Sequence, residues 1–277
     1  MKKLCVIGDP IHHSLSPVIQ NAMIAAAGLD LTYGACRVAG EDTARWLTRA
    51  KTEGYAGFNA TMPHKENLLT LVDELSVDAA RIGAVNTVCI RDGKVYGCNT
   101  DAEGVLRALR EAGMAPEGKR VLVLGAGGAA RAVVYKLVQA GAARVVAANR
   151  TVERAERLCG EFGAVACDFS ADTLARYAAQ SDLLVNCTNL GMTGVAGQFA
   201  DLSFLEHLPA HAGVFDLIYS PRKTALLARA EQLGLQISNG LDMLIWQGVF
   251  ALEHFANERL DEAALAAAAR AALEELE

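Results

Sequence analysis

Four short stretches hold the side chains with which this chain could do chemistry. In Asn59-Ala60-Thr61-Met62-Pro63-His64-Lys65 an amide, a hydroxyl and a primary amine stand just past the strand-like run Ala56 to Asn59. Open α/β sheets bind ligands outside the carboxyl ends of their strands. A lysine there is either a solvated cation or a group that exchanges a proton with a bound oxygen. Pro63 predicts a helix start, with Lys65 in the first turn beside the positive end of the helix dipole, an unfavourable seat for a cation that would ease proton release. A solvated lysine would tolerate that seat at a cost below ~1 kcal/mol. In Asn99-Thr100-Asp101, Asp101 either caps a helix over Ala102 to Ala112 or brings a carboxylate to the same chemistry. In Ser14-Leu15-Ser16-Pro17 the pattern predicts Ser16 as N-cap and Pro17 as the first helical residue. Two hydroxyls and free helix N–H groups would equally suit a small anion such as a carboxylate, and both readings stand at this point.

The fourth stretch, Arg120 to Ala132, reads as strand, glycine turn and helix. Gly125, Gly127 and Ala130 fill the G-x-G-x-x-G/A spacing, with Ala126, Gly128 and Ala129 between them, so that N–H groups of the first helical turn face a pyrophosphate. About twenty residues on, the strand Arg144 to Ala148 runs into Asn149-Arg150-Thr151, where an NAD site usually carries an acid for the ribose 2′-OH. Here the acid is missing. Arg150, with Arg154 one helical turn later, would pair with a 2′-phosphate, which favours NADP over NAD; the alternative is a solvated helix start.

These residues need elements to hold them. Strand patterns over Leu4 to Ile7, Leu31 to Val38 and Ala56 to Asn59, with helices after Pro17 and over Thr43 to Thr52, predict a β-α-β-α domain. Ala84 to Ile90 and Lys94 to Cys98 flank Arg91-Asp92-Gly93 as a hairpin, with Asn86 and Asn99 near its opposite ends. Gly113 to Lys119 is a Pro- and Gly-containing connection into a doubly wound domain, whose further strands are expected at Ala164 to Ala166, Leu183 to Cys187, Val214 to Leu217 and Leu235 to Ile237. Asn186 to Asn189 and Asp216 to Ser220 are polar strand ends that would line the crevice beside a cofactor. Leu241 to Asn257 is a long apolar helix carrying Gln247, and an Ala-rich helix follows; their apolar faces predict a return to the helix-poor first domain.

A chain of 277 residues suits two modest domains, and its net charge of −6 with no basic block excludes a general nucleic-acid binder. No stretch approaches a membrane span, and the run after Lys3 stops at Gly8-Asp9, short of a signal peptide. Seven cysteines without C-x-x-C spacing read as reduced thiols of a cytoplasmic protein. The six histidines are not grouped with cysteines at ligand spacing, so no metal is expected. Monomer and homodimer are both compatible with the sequence.

Over essentially its whole length the chain resembles the shikimate dehydrogenases, NADP-dependent enzymes that interconvert 3-dehydroshikimate and shikimate. Ser14-Leu15-Ser16-Pro17 is similar to the family's S-x-S-P, Asn59 to Lys65 to N-x-T-x-P-x-K, Gly83 to Thr87 to G-A-x-N-T, and Gly97 to Asp101 to G-x-N-T-D. The resemblance implies that Ser14 and Ser16 hold the substrate carboxylate and that Lys65 is catalytic with Asp101 as its partner. It implies further substrate contacts from Asn59, Thr61, Asn86, Tyr219 and Gln247. The cofactor would be NADP, held by Gly125, Ala126, Gly127, Gly128, Ala129, Asn149, Arg150, Thr151, Arg154, Thr188, Leu217, Gly240 and Met243. The substrate would be a small hydroxy acid: shikimate, or quinate or another analogue, on the chorismate route to aromatic amino acids; the alternative of another class is an NADP-binding regulator that keeps the fold without turnover, against which the intact Lys65 and Asp101 argue. The fold implied is α/β, with an N-terminal α/β substrate domain over residues 1–101 and a Rossmann-type doubly wound domain over 102–240. Helices of 241–277 would pack back on the first. One departure stands out: the family commonly reads N/D-G-L-G-M-L, and this chain has Asn239-Gly240-Leu241-Asp242-Met243-Leu244. The aspartate either faces the nicotinamide or caps the following helix.

Overall fold

Leu4-Cys5-Val6-Ile7 is apolar without alternation, the pattern of a strand covered on both faces. In the computed structural model, which describes residues 2–276, all four side chains are buried inside strand β1 (Lys2–Gly8). The chain forms two compact units, Met1–Gly104 with Leu244–Glu277, and Val105–Met243.

In the first unit β1 is followed by α1 (Ser16–Ala26), β2 (Leu31–Arg37), α2 (Thr43–Thr52), β3 (Tyr55–Ala60), β4 (Glu74–Leu75), α3 (Val77–Ile82), β5 (Thr87–Arg91), β6 (Lys94–Cys98) and the start of α4 (Asp101–Glu111). The strands form one sheet in the order β2-β1-β3-β5-β6-β4. β2, β1 and β3 are parallel, with Ile7 of β1 opposite Ala60 of β3, so the chain leaves both strands at the same edge of the sheet. β5 and β6 form the expected hairpin through Asp92 and Gly93, both at positive φ (49° and 78°), as a type I′ turn requires.

The helix expected from Pro63 does not form. After β3 the chain makes turns and one 3₁₀ stretch, Asn67–Thr70, before β4 and α3, neither of which the local pattern announced. Tertiary contacts outweigh propensity here: Leu68 is fully buried, and the Lys65 carbonyl accepts from the Val85 N–H at 2.9 Å instead of continuing a helix.

The second unit continues with β7 (Arg120–Leu124), α5 (Gly128–Gln139), β8 (Arg144–Ala148), α6 (Val152–Phe162), β9 (Val165–Cys167), α7 (Ala171–Ala178), β10 (Leu183–Asn186), β11 (Gly213–Asp216), α8 (Ala225–Gln232) and β12 (Gln236–Ser238). Its strands are all parallel, in the order β12-β11-β10-β7-β8-β9. The order reverses between β7 and β10, the switch point at which a doubly wound sheet opens a ligand crevice. The chain then enters α9 (Leu241–Ala256) and α10 (Glu262–Glu274). As expected, these return to the first unit. α10 lies along α1 and buries Leu265, Ala266, Ala269 and Leu273, the stripe of an amphipathic helix. Gln20 of α1 donates from Nε2 to the Gly248 carbonyl of α9 at 2.9 Å.

Candidate active site

In the first unit Lys65 and Asp101 meet: Nζ donates to Oδ2 at 2.6 Å, with the side chains 18% and 8% exposed. Asp101 is the first residue of α4, but its carboxylate does not cap the helix. Its other oxygen accepts from Asn86 Nδ2 at 2.8 Å, and Asn99 Oδ1 accepts the Asp101 N–H at 3.1 Å. Asn86 is buried and fully engaged. Nδ2 also donates to Thr100 Oγ1, and Oδ1 accepts from the Thr100 N–H and the Thr87 hydroxyl. Asn59 accepts from the Tyr33 hydroxyl at 2.7 Å and donates both amide hydrogens, to the Asn86 carbonyl and Thr87 Oγ1, which leaves one lone pair on its Oδ1. One hydrogen-bonded network therefore runs from Tyr33 on β2 to Lys65. Sequence reasoning missed Tyr33, Thr87 and Thr100 as members, although both threonines lie inside quoted motifs.

No α-helix carries Lys65, so the helix dipole expected beside it is absent from this turn. Its neighbour His64 holds the turn instead. The His64 ring is fully buried, with Nε2 at 2.9 Å from the Val38 carbonyl and Nδ1 at 2.8 Å from Thr43 Oγ1. A carbonyl can only accept, so Nε2 carries a proton, while the single hydrogen of the Thr43 hydroxyl is shared between His64 Nδ1 and the Gly40 carbonyl, which lies 2.6 Å from Thr43 Oγ1. Burial lowers the pKa of His64 from its ordinary 6.5. The unfolded chain then binds the proton more readily than the folded one. The stability contributed is complete above about pH 6.5 and is lost as the pH falls through the lower folded value. Urea midpoints of wild type and His64→Gln at about pH 8 and about pH 5 check this. Wild type should lose ground to the variant on acidification, and a constant difference would contradict the assignment.

At the end of β1, Leu15 and not Ser16 occupies the N-cap of α1, and no side chain caps it. Ser14 Oγ accepts the Ser16 N–H at 3.2 Å, while Val18 and Ile19 both donate to the Leu15 carbonyl. Pro17 has no N–H. The free helix N–H groups expected here are thus already used, which leaves the two serine hydroxyls as the donors for an anion. Thr61 packs at the same sheet edge, so closely that a Cβ on Gly8 would stand 2.5 Å from Thr61 Cγ2. Gln247 of α9 donates to the Leu244 carbonyl and lies against Gly104, one turn into α4 from Asp101, where a Cβ would meet the Gln247 backbone N at 2.9 Å. Gly104 also escaped the sequence reading; its signal is the spacing N-T-D-x-x-G. An ordinary helical Gly→Ala change stabilises, but Gly104→Ala should overpack this crossing and cost about 1–3 kcal/mol, read as a lower urea midpoint. A raised midpoint would show that α4 and α9 separate freely.

In the second unit Gly125 follows β7 with φ +110°. A Cβ there would crowd the Cys187 backbone at 3.3 Å. Gly127 is the N-cap of α5 and has nothing within 4 Å of its Cβ position, so the approach to this helix end is open. Ala126, Gly128 and Ala129 are half-buried around it, and Ala130 packs fully inside. At the end of β8, Asn149 Nδ2 donates to the Thr151 carbonyl at 2.8 Å, and Thr151 is the N-cap of α6. Arg150 and Arg154 are exposed and make no ion pair among the described residues. Thr188 follows β10, and Leu217 and the half-buried Tyr219 follow β11. Gly240 presses on Leu217, where a Cβ would stand 1.9 Å from the carbonyl oxygen. Met243 is buried in the first turn of α9, beside the half-buried Asp242. Among the described residues no group of three or more His, Cys, Asp or Glu could hold a metal, and no helix is long and apolar enough to cross a membrane.

Two family models match this chain. One, described as the shikimate dehydrogenase substrate binding domain, covers residues 6–88, and the other, shikimate / quinate 5-dehydrogenase, covers residues 108–194. A protein of Geobacter sulfurreducens named shikimate dehydrogenase (NADP(+)) is 42% identical over 278 residues, 98% of this chain and 96% of that one. Among solved structures, shikimate 5-dehydrogenase from Thermus thermophilus, in complex with NADP(H) and shikimate, aligns with a TM-score of 0.87 at 37% identity, covering 98% of this chain and 100% of that one. The ligand-free 5-ketofructose reductase of Gluconobacter sp. strain CHM43 aligns with a TM-score of 0.80 at 33% identity, covering 97% and 98%. Since both family models match in chain order and the relatives align from end to end, the chain belongs to the shikimate dehydrogenase family.

Proposed function

We propose that this chain interconverts shikimate and 3-dehydroshikimate with NADP(H), Lys65 exchanging the proton at the C3 oxygen and Asp101 holding the lysine for that exchange. The observation that carries the reading is the 2.6 Å bond between Lys65 Nζ and Asp101 Oδ2, in a chain 42% identical to a named NADP-dependent shikimate dehydrogenase. In reduction the Lys65 ammonium donates a proton to the carbonyl oxygen; in oxidation the neutral amine takes it from the hydroxyl. Asp101 accepts one of the three ammonium hydrogens and leaves two for substrate. Asn86 fixes the carboxylate from its other side, so that the pair is oriented before substrate arrives. The Ser14 and Ser16 hydroxyls donate to the substrate carboxylate. Thr61 and Gln247 contact the ring. Asn86 meets substrate only by giving up one of its bonds within the protein, whereas Asn59 Oδ1 keeps a second lone pair that can accept from a substrate hydroxyl.

The residues of the second unit fit NADP. Gly127 leaves the α5 N-terminus open to a pyrophosphate, and two arginines with no ion pair among the described residues follow β8, where an NAD site would carry an acid. Gly125 to Ala129, Asn149, Arg150, Thr151, Arg154 and Thr188 would hold the cofactor, with Leu217, Gly240 and Met243 on the nicotinamide side. When bound, it supplies the acceptor and donor of the hydride at C3. All seven cysteines are free, which supports a reducing, cytoplasmic setting.

A second reading has support in the 33% identical relative named 5-ketofructose reductase. The serine pair argues for shikimate, because 5-ketofructose has no carboxylate to anchor. Steady-state kcat/KM for shikimate and quinate with NADP, and for 5-ketofructose with NADPH, decides between them. Shikimate should lead 5-ketofructose by at least ~10-fold, about the worth of one charge-assisted hydrogen bond to the carboxylate. Either other substrate in first place would move the assignment.

A further inference from the structure

Asp216 is a fully buried carboxylate at the C-terminal end of β11, and the chemistry above does not use it. Three donors converge on it: the Thr224 hydroxyl at 2.7 Å on Oδ2, and on Oδ1 both Asn186 Nδ2 at 2.9 Å and the Ile218 N–H at 3.1 Å. Burial pushes its pKa up, and these bonds hold it down. It makes no ion pair among the described residues, and its titratable neighbour is Cys187, whose thiol is pushed up by burial and by the charge of Asp216.

Asn186 ends the adjacent strand β10, in register with Asp216, and is also fully buried. Its Oδ1 accepts both the N–H and the hydroxyl of Thr188, at 3.0 and 2.7 Å, and Thr188 Oγ1 in turn accepts the Leu190 N–H. The amide cannot be turned round, since an ionised Asp216 only accepts and the Thr188 N–H only donates. On the other side, the bond to Ile218 fixes the turn whose Leu217 carbonyl Gly240 presses against, and Gly240 N–H donates to the Ile218 carbonyl at 3.2 Å.

We infer that Asp216 is a positioning residue for the NADP site, setting the Thr188 turn through Asn186 and the Leu217–Gly240 contact through Ile218. The inference rests on the proposed NADP site, so NADPH binding by wild type is the control. Absence of that binding would refute the function and not the network alone.

Asn186→Asp sets a second carboxyl against Asp216, and two carboxyls in contact share one proton. While that proton is present, the new group still donates to Asp216 and accepts from Thr188. Once it is lost, the pair repels and the turn opens. The ratio of variant to wild-type Kd for NADPH should therefore rise at least ~10-fold from about pH 6 to about pH 9, with the shikimate Kd within about twofold throughout. A flat ratio, or a shikimate Kd that moves in step, overturns the inference. Thr224→Val, which removes one donor, should raise the NADPH Kd by about threefold or more, and Thr224→Ser should restore it. No rise with valine, or no recovery with serine, likewise overturns it.

Discussion

Lys65→Ala is expected to lower shikimate turnover at least ~100-fold, the scale of a lost general acid/base, while the fold and NADP affinity persist. Lys65 sits in a turn, its carbonyl held by Val85 and its neighbour His64 anchored to Val38 and Thr43, and only its side chain reaches Asp101. Truncation removes the proton carrier and leaves those supports standing. The carboxylate keeps its bond to Asn86 and its place at the start of α4. Asp101→Ala should also slow turnover, and the double variant should fall short of the product of the two losses, because the pair acts as a unit. Near-normal turnover in Lys65→Ala would remove lysine from the chemistry. Multiplicative losses would separate it from Asp101.

Arg150→Ala should weaken NADP binding roughly 10- to 100-fold, the size of hydrogen bonds to a charged group, and leave NAD binding almost unchanged. Arg150 follows β8 closely, is exposed, and has no ion-pair partner among the described residues, so no internal bond competes for it. Its guanidinium can pair with a 2′-phosphate through two parallel bonds. Calorimetric titration of wild type and variant with both cofactors reads the difference. Equal losses for NADP and NAD would place Arg150 elsewhere than at the 2′-phosphate.

Local pattern was enough for those parts of the fold that local physics decides. Thr43–Thr52 and Lys94–Cys98 form a helix and a strand with the expected bounds, and Asp92-Gly93 makes the turn its residue types demand. The glycine turn after β7 is legible for the same reason, since its spacing encodes conformation. Elsewhere distant partners decide. Pro63 signals a helix start, but Leu68 and the Lys65 carbonyl find better partners in the core and at Val85. Ser16 has the chemistry of a cap, but Pro17 stands at the second helical position, which moves the cap to Leu15. Nothing periodic links Lys65 to Asp101, 36 residues away, or Tyr33 to Asn59. Only the resemblance of motifs ties the first pair together, and nothing in the sequence announces the second.

Absorbance at 340 nm after shikimate and NADP are added to the purified wild-type chain, with Lys65→Ala measured alongside, tests the proposed reaction most directly. Steady growth of the NADPH band in wild type, cut at least ~100-fold in the variant, is the result expected of a lysine that exchanges the proton. No shikimate-dependent NADPH from the wild-type chain would contradict the proposed reaction, and equal growth in both would contradict the role of Lys65.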